Sequence, residues 1–423
     1  MIPIYNLCLI LILVIAWPII ALVVLLRPKY RTTFSSRLGI GLQRHLPPTP
    51  ATAKTVWIHA LSVGEISSVR PLVLGLRDQF PAVRIVCSTT TTTGLSVAKT
   101  LLRDHVDAIF PSPLDLGPVI AVFLRLIRPD LFILVETDFW PNLLTALNKK
   151  KIPAILVNGR VSARSFSRYR HAGFFFRPIF RSFDHLCLQT ETDRINMQRL
   201  GVDPRRLHCL GNLKFDTPVA AAAGTPDGLP PRIPDHRLTI LAGSTHEGEE
   251  GIIFAVYAEL KKRHPGLRLI VAPRHPDRCP EIARLAGRHH LSLTLRSQSP
   301  KETADVLLID SIGELPWLYA RASIAFVGGS LVAAGGHNPI EPAAHGVPVL
   351  FGRHMEDFAE ISEDLVAAGG ALTVADRNSL AAALNTLVSS DDRRTTIGRL
   401  AREYVTRQQG VVGRHLTIIR PYL

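Results

Sequence analysis

The sequence predicts two doubly wound α/β domains of the Rossmann type facing a cleft, carried behind one N-terminal transmembrane helix. Three observations lead there. Short apolar runs alternate with helical stretches through the first half, which reads as a parallel sheet covered on both faces. A proline-rich break over residues 217–237 (TPVAAAAGTPDGLPPRIPDHR) interrupts the pattern, and the alternation restarts beyond it. Ahead of both halves, Tyr5 to Leu26 runs 22 residues without a charge. The expected division is an anchor over 1–30, a first domain over 31–216, a linker over 217–237, a second domain over 238–405 and a C-terminal tail over 406–423.

At about 1.5 Å per residue the uncharged run reaches ~33 Å, enough for a hydrocarbon layer of ~30 Å. Pro18 inside it is tolerated in a span. A cleaved signal peptide fits less well: no basic residue precedes the run and no Ala-x-Ala site ends it. Arg27, Lys29, Arg31 and Arg37 follow at once, so the positive-inside rule predicts a single-pass signal-anchor with the remaining chain on the cytoplasmic face of the inner membrane. The 423 residues carry a net charge of +14 and a pI of about 10.0, which suits an anionic partner surface. No zinc-finger spacing, RNP-like motif or basic arm supports nucleic acid. The five cysteines are scattered without a C-x-x-C pair, as expected of a reducing compartment and not of a metal cluster.

In the first half, strands are expected at 55–59, 84–88, 108–110, 131–135, 154–157 and 185–188. A helix after the first carries Val69, Leu72, Val73 and Leu76 on one face. In the second half, strands are expected at 238–242, 267–271, 306–309, 324–327 and 347–351. Ligands of such sheets bind beyond the carboxyl ends of the strands, so the residues that follow each strand are the candidates for chemistry.

Four turns share one pattern there: Ser62-x-x-Glu65, Ser244-x-x-Glu247, Ser311-x-x-Glu314 and Asn338-x-x-Glu341. Each also fits a capping box, in which the Glu side chain returns to the N-cap N–H. Glu65 stands out because it follows the first strand of the first domain; a carboxylate at a helix start is expected to stay ionised, which a general base requires. Glu136 and Asp138 follow a wholly apolar strand, with solvated loop carboxylates as the competing reading. Lys214 lies just before the linker, where a surface lysine is the competing reading. Arg274 and His275 sit between two prolines at a strand end, where an arginine suits a phosphate. Gly328-Gly329 and Gly335-Gly336 bracket a loop that lets backbone approach a ligand. Asn338-Pro339-Ile340-Glu341 then reads as a helix start, Asn as N-cap and Pro at the first position, whose N–H groups suit an anion. Arg160, Arg164 and Arg168 recur every four residues beside an aromatic run, a face suited to anionic headgroups, or else the solvated side of a partly buried helix. Neither a metal site nor a nicotinamide fingerprint is present in the pattern, and no cofactor is expected.

Taken together these motifs resemble the bacterial 3-deoxy-D-manno-octulosonic acid (Kdo) transferases that act on lipid A. The likeness spans nearly the whole chain: HALSVGE at 59–65, ETDFWPN at 136–142, NGRVSARS at 158–165, GNLKFD at 211–216, APRHP at 272–276, IGEL at 312–315 and GGHNPIEP at 335–342. The resemblance implies a glycosyltransferase of the GT-B type, with acceptor held by the first domain and CMP-Kdo by the second. It implies Glu65 as proton acceptor and Glu136 and Lys214 as transition-state stabilisers. Pro273, Arg274, Ile312, Gly313, Glu314, Asn338, Pro339, Ile340 and Glu341 would hold CMP. The implied acceptor is a lipid A precursor at the inner membrane, and transfer is inverting and metal-independent. An epimerase or a transferase using another nucleotide sugar would share the architecture.

Overall fold

Six consecutive buried residues, Thr55–Ala60, form the first strand (β1), and the rest of the first half is laid out around it. The computed structural model describes residues 2–26, 34–47, 53–217, 238–298 and 304–423, with side chains of the first helix described only as far as Pro18. After β1 come β2 (Arg84–Thr89), β3 (Ala108–Pro111), β4 (Leu131–Val135), β5 (Ala154–Gly159), β6 (His185–Leu188) and β7 (Leu207–Cys209). They form one sheet in the order β3-β2-β1-β4-β5-β6-β7, with every paired neighbour parallel. The order reverses between β1 and β4, the switch point of a doubly wound sheet.

Alternate residues of these strands feed two separate cores. Trp57, Val86, Phe132, Leu134 and Leu156 belong to one, and Val56, Ile58, Ile85, Ile133 and Ile155 to the other. That is the two-sided burial a parallel sheet demands, each large apolar side chain contributing about 2 kcal/mol. The helix Val63–Gln79 packs Ile66, Val69, Leu72, Val73 and Leu76 into the second core, as its spacing predicts.

The second sheet contains β8 (Thr239–Thr245), β9 (Arg268–Pro273), β10 (Leu293–Leu295), β11 (Val306–Leu308), β12 (Ile324–Val327), β13 (Val349–Phe351) and β14 (Ala371–Thr373). Its order is β10-β11-β9-β8-β12-β13-β14, again all parallel, with the switch between β8 and β12. Three-residue strands β7, β10 and β14 escape the sequence reading because they are too short to show a period.

The chain divides into two units, Met1–Thr217 with Gly410–Leu423, and Pro218–Gln409. The expected tail over 406–423 is thus split. The helix Asp391–Gln408 ends the second unit, whereas Val411–Ile419 buries Val411, Leu416 and Ile419 in the first. Asp216 caps that returning helix, accepting the N–H groups of Gly410 at 2.8 Å and Val412 at 2.6 Å. The expected linker lies, apart from Thr217, outside the described residues, as do Arg27, Lys29 and Arg31.

The expected membrane span is not supported. The first helix runs Ile2–Leu26, 25 residues without a charge, yet among the described residues no helix is long and apolar enough to cross a membrane. Its opening turn is also tied to the first domain. Tyr5 Oη donates to Asp115 Oδ2 at 2.9 Å, and Asn142 Nδ2 donates to Asn6 Oδ1 at 2.6 Å. A helix that crossed a bilayer before reaching the domain would carry Tyr5 and Asn6 to the opposite side from Asp115 and Asn142.

Candidate active site

The chain leaves β1 through Leu61 and Ser62 into the helix Val63–Gln79, whose first turn holds Glu65. Glu65 is 6% exposed, so its carboxyl is taken almost wholly out of water. It accepts the Leu61 N–H. Ser62 supplies no side-chain cap, so the capping box is half built, the Glu arm reaching the residue before the N-cap. Burial pushes the Glu65 carboxyl up to about 8; the Leu61 N–H opposes this, and the charges of Glu136 and Asp138 add to it. Desolvation and two like charges thus work against the ionised form that the helix start was expected to favour.

Glu136 leaves β4 with φ +60°, a left-handed backbone uncommon for any residue but glycine. Its Oε1 accepts from Asn158 Nδ2 at 3.3 Å and from Ser68 Oγ at the 3.5 Å limit. Asn158, fully buried in β5 and itself at φ +55°, also accepts the Leu213 N–H on Oδ1 at 3.0 Å. Its carbonyl accepts Gln189 Nε2 at 2.9 Å, Gln189 Oε1 accepts Asn212 Nδ2 at 2.9 Å, and Asn212 Oδ1 accepts the Lys214 N–H at 3.0 Å. Three amides therefore fix the turn Leu213–Asp216, which carries half-buried Lys214, to the residue that holds Glu136.

Asp138 is held by one oxygen. Oδ2 accepts Trp140 Nε1 at 2.9 Å and Thr90 Oγ1 at 3.3 Å, and lies 3.1 Å from His59 Nε2. His59 Nδ1 is 2.8 Å from Ser88 Oγ, which accepts Trp57 Nε1 at 2.8 Å. The solvated-loop reading of both acids is thus replaced by a fixed one. His59, Ser88 and Asn158 were missed, although a polar residue near the carboxyl end of an otherwise apolar strand is a usable signal.

In the second domain, the N–H groups at the start of the glycine loop after β12 are engaged within the protein. Buried Glu249 takes them: Gly329 N at 2.8 Å, Ser330 N at 3.0 Å and Leu331 N at 2.9 Å, besides His246 N at 2.9 Å. Glu249, not Glu247, is the acid of that turn, because β8 continues through Thr245 and the helix Glu249–Arg263 starts later than Ser244 would set it. Gly328 is required by packing, since a Cβ there would collide with the Ser244 carbonyl.

The other expected residues follow further strands of the same sheet. Pro273 ends β9, and exposed Arg274 donates its backbone N–H to Thr245 O at 3.0 Å. Ile312 is 89% exposed, beside Gly313 at φ +97°. Glu314 accepts Arg296 Nε at 2.8 Å and the Ser311 hydroxyl, a side-chain pairing and not a capping box. Asn338 Oδ1 accepts the Ile340 N–H at 3.1 Å while its Nδ2 donates to Glu341 Oε1 at 3.2 Å. Pro339 is the N-cap, and the helix Ile340–Ala344 has only five residues, so its dipole is weak. Burial raises the Glu341 carboxyl.

The basic face is smaller than the spacing predicts. Arg160 precedes the helix Ala163–His171, and only Arg164 and Arg168 lie on it, both exposed. Phe174, 78% exposed, stands at the start of the following helix.

Two parallel sheets, each with polar groups gathered at its switch point, make up the fold, and solved structures share it. A UDP-N-acetylglucosamine 2-epimerase from Listeria monocytogenes is similar at TM-score 0.60 and 15% identity, over 87% of this chain and 96% of that one. A glycosyltransferase from Rickettsia africae is similar at TM-score 0.54 and 12% identity, over 88% of this chain and 99% of that one. The family model described as 3-deoxy-D-manno-octulosonic-acid transferase (kdotransferase) matches residues 32–217. The 3-deoxy-D-manno-octulosonic acid transferase of Haemophilus influenzae is 34% identical over 94% of this chain and 92% of its own length, and that of Bordetella pertussis is 31% identical over 89% of each. The chain belongs to the 3-deoxy-D-manno-octulosonic acid transferase family and is a glycosyltransferase.

Proposed function

We propose that this enzyme moves Kdo from CMP-Kdo to a hydroxyl of a lipid A precursor, with Glu65 as general base. The observation that carries the reading is the Glu65 carboxyl, buried at the switch point beside Glu136 and Asp138 and raised to about 8. A base that titrates near working pH binds a proton strongly when ionised yet is still partly free to accept one. Glu65 takes the acceptor hydroxyl proton as that oxygen bonds to the anomeric carbon. The bond from that carbon to the phosphate oxygen breaks on the opposite side, and CMP leaves with the electron pair. One displacement inverts the centre and needs no metal. Lys214 and Glu136, linked through Asn158, stabilise the charge that builds during transfer. Arg274 neutralises the departing phosphate, while Pro273, Ile312, Gly313, Glu314 and the 338–341 turn surround the nucleotide.

The acceptor is a membrane lipid, and the chain has apolar surface to meet it. Along the first helix Leu7, Ile12, Val14, Ile15 and Trp17 are all more than half exposed. We infer that this helix enters the inner membrane while its opening turn stays docked on the domain, which works at the cytoplasmic face with Arg164, Arg168 and Phe174 toward anionic headgroups.

Membranes bearing the protein are given CMP-Kdo and a tetraacyl lipid A precursor, and products are weighed by mass spectrometry. The expected product is the precursor plus Kdo, absent with Glu65→Gln. Product formation by that variant at a rate near wild type removes Glu65 from its role, and no product from wild type refutes the substrate pair.

A further inference from the structure

We propose that His246 and His337, with His275 and Arg274 beside them, form a second anion subsite that grips the acid group of the donor sugar. This rests on the reading of the second domain as the CMP-Kdo binder. The four residues come from the loops after β8, β9 and β12, at the switch point of that sheet. His246 Nε2 and His337 Nε2 are 2.9 Å apart, their rings within 18° of parallel and 5.2 Å between centroids. The His275 ring stands edge-on to His246 at 6.1 Å.

A proton count follows from that contact. One N–H must lie between the two Nε2 atoms, so a neutral pair turns one Nδ1–H and one bare Nδ1 outward. Adding one proton gives a monocation with an N–H on both outward nitrogens. The charges that act on the pair are Arg274, His275, Glu249 and Glu250. Both acids are engaged, Glu249 by four backbone N–H groups and Glu250 by Arg278 Nη1 at 2.9 Å. Burial, Arg274 and the neighbouring imidazoles hold His337 down to about 4, and burial also lowers His246. The cluster therefore gathers proton donors, and among the described residues both acids that act on it are engaged elsewhere.

The donor supplies an anion that CMP lacks. An ulosonic acid carries its carboxylate on the anomeric carbon itself, hence adjacent to the phosphate held by Arg274. A carboxylate against the pair favours the protonated form, so donor affinity falls as pH rises through the titration of the bound pair.

The test compares CMP-Kdo KM with the inhibition constant of CMP across pH, using the full-length enzyme in detergent. His337→Ala should raise donor KM about tenfold, a loss of ~1.4 kcal/mol, and flatten its pH dependence, with CMP inhibition changed less than about twofold. Intact CMP inhibition also certifies the fold. His337→Gln, which keeps one N–H but cannot take a proton, should recover part of the donor affinity without the pH slope. Equal weakening of donor and CMP, or an unchanged donor KM, overturns the subsite. Arg274→Ala should weaken both ligands; if it weakens neither, the donor reading of the domain fails instead.

Discussion

If Glu65 is the base, as proposed, a single side chain sets both rate and stability. With a carboxyl raised to about 8, roughly a tenth of the enzyme is ionised at pH 7 and most of it by pH 9. The rate constant for transfer should therefore climb with pH and level off above about 8; a profile flat from pH 6 to 9 would exclude this group as the base. The stability effect has the opposite sign. A carboxyl whose folded pKa lies above its unfolded one supports the fold fully below the unfolded value and loses that support as pH rises toward about 8. Glu65→Gln should thus melt at higher temperature than wild type at pH 8 and not at pH 4, read by calorimetry. Asn158 would act one residue back from the proposed chemistry, through Glu136 and the Leu213 N–H. Asn158→Asp keeps an acceptor for the Leu213 N–H but loses the amide that donates to Glu136, and should cut kcat about a hundredfold with donor KM little changed. Its effect should nearly vanish when added to Lys214→Ala; additive losses would mean that Asn158 does not work through that turn.

The elements that matter most are loops held by buried acids. Glu249 binds three N–H groups of the 329–331 loop, so Glu249→Ala leaves several buried donors unpaired and should destabilise the second domain by about 3 kcal/mol or more. Glu249→Gln can still accept through one oxygen and should fall between, with CMP binding as the readout of an intact loop. In the first unit, Asp216→Ala removes the cap from Val411–Ile419 and should cost about 1 kcal/mol in thermal unfolding of the first domain. These acids escaped the capping-box reading for one reason. The spacing of Ser and Glu states which local partner is within reach, but Glu249 found better partners some eighty residues away in sequence.

At the scale of the whole molecule, the proposed entry of the uncharged helix into the membrane is open to test by deletion. Removing residues 1–33 should release the protein from membranes and slow transfer to lipid acceptor dispersed in vesicles, while CMP binding stays unchanged; retention in the membrane fraction would assign attachment to the domain surface alone. The sequence by itself determined the two parallel-sheet domains and the family. Those follow from hydrophobic period and from motif order, which are local in the chain. Only the tertiary structure decided that Glu65 is desolvated beside two other acids, that Asn158 joins Glu136 to the turn of Lys214, and that Glu249 closes the glycine loop. It also showed Tyr5 and Asn6 docked on Asp115 and Asn142, against the simple crossing that hydropathy suggested. Each of these depends on burial and on contacts between residues far apart in the chain, and neither propensity nor spacing carries that information.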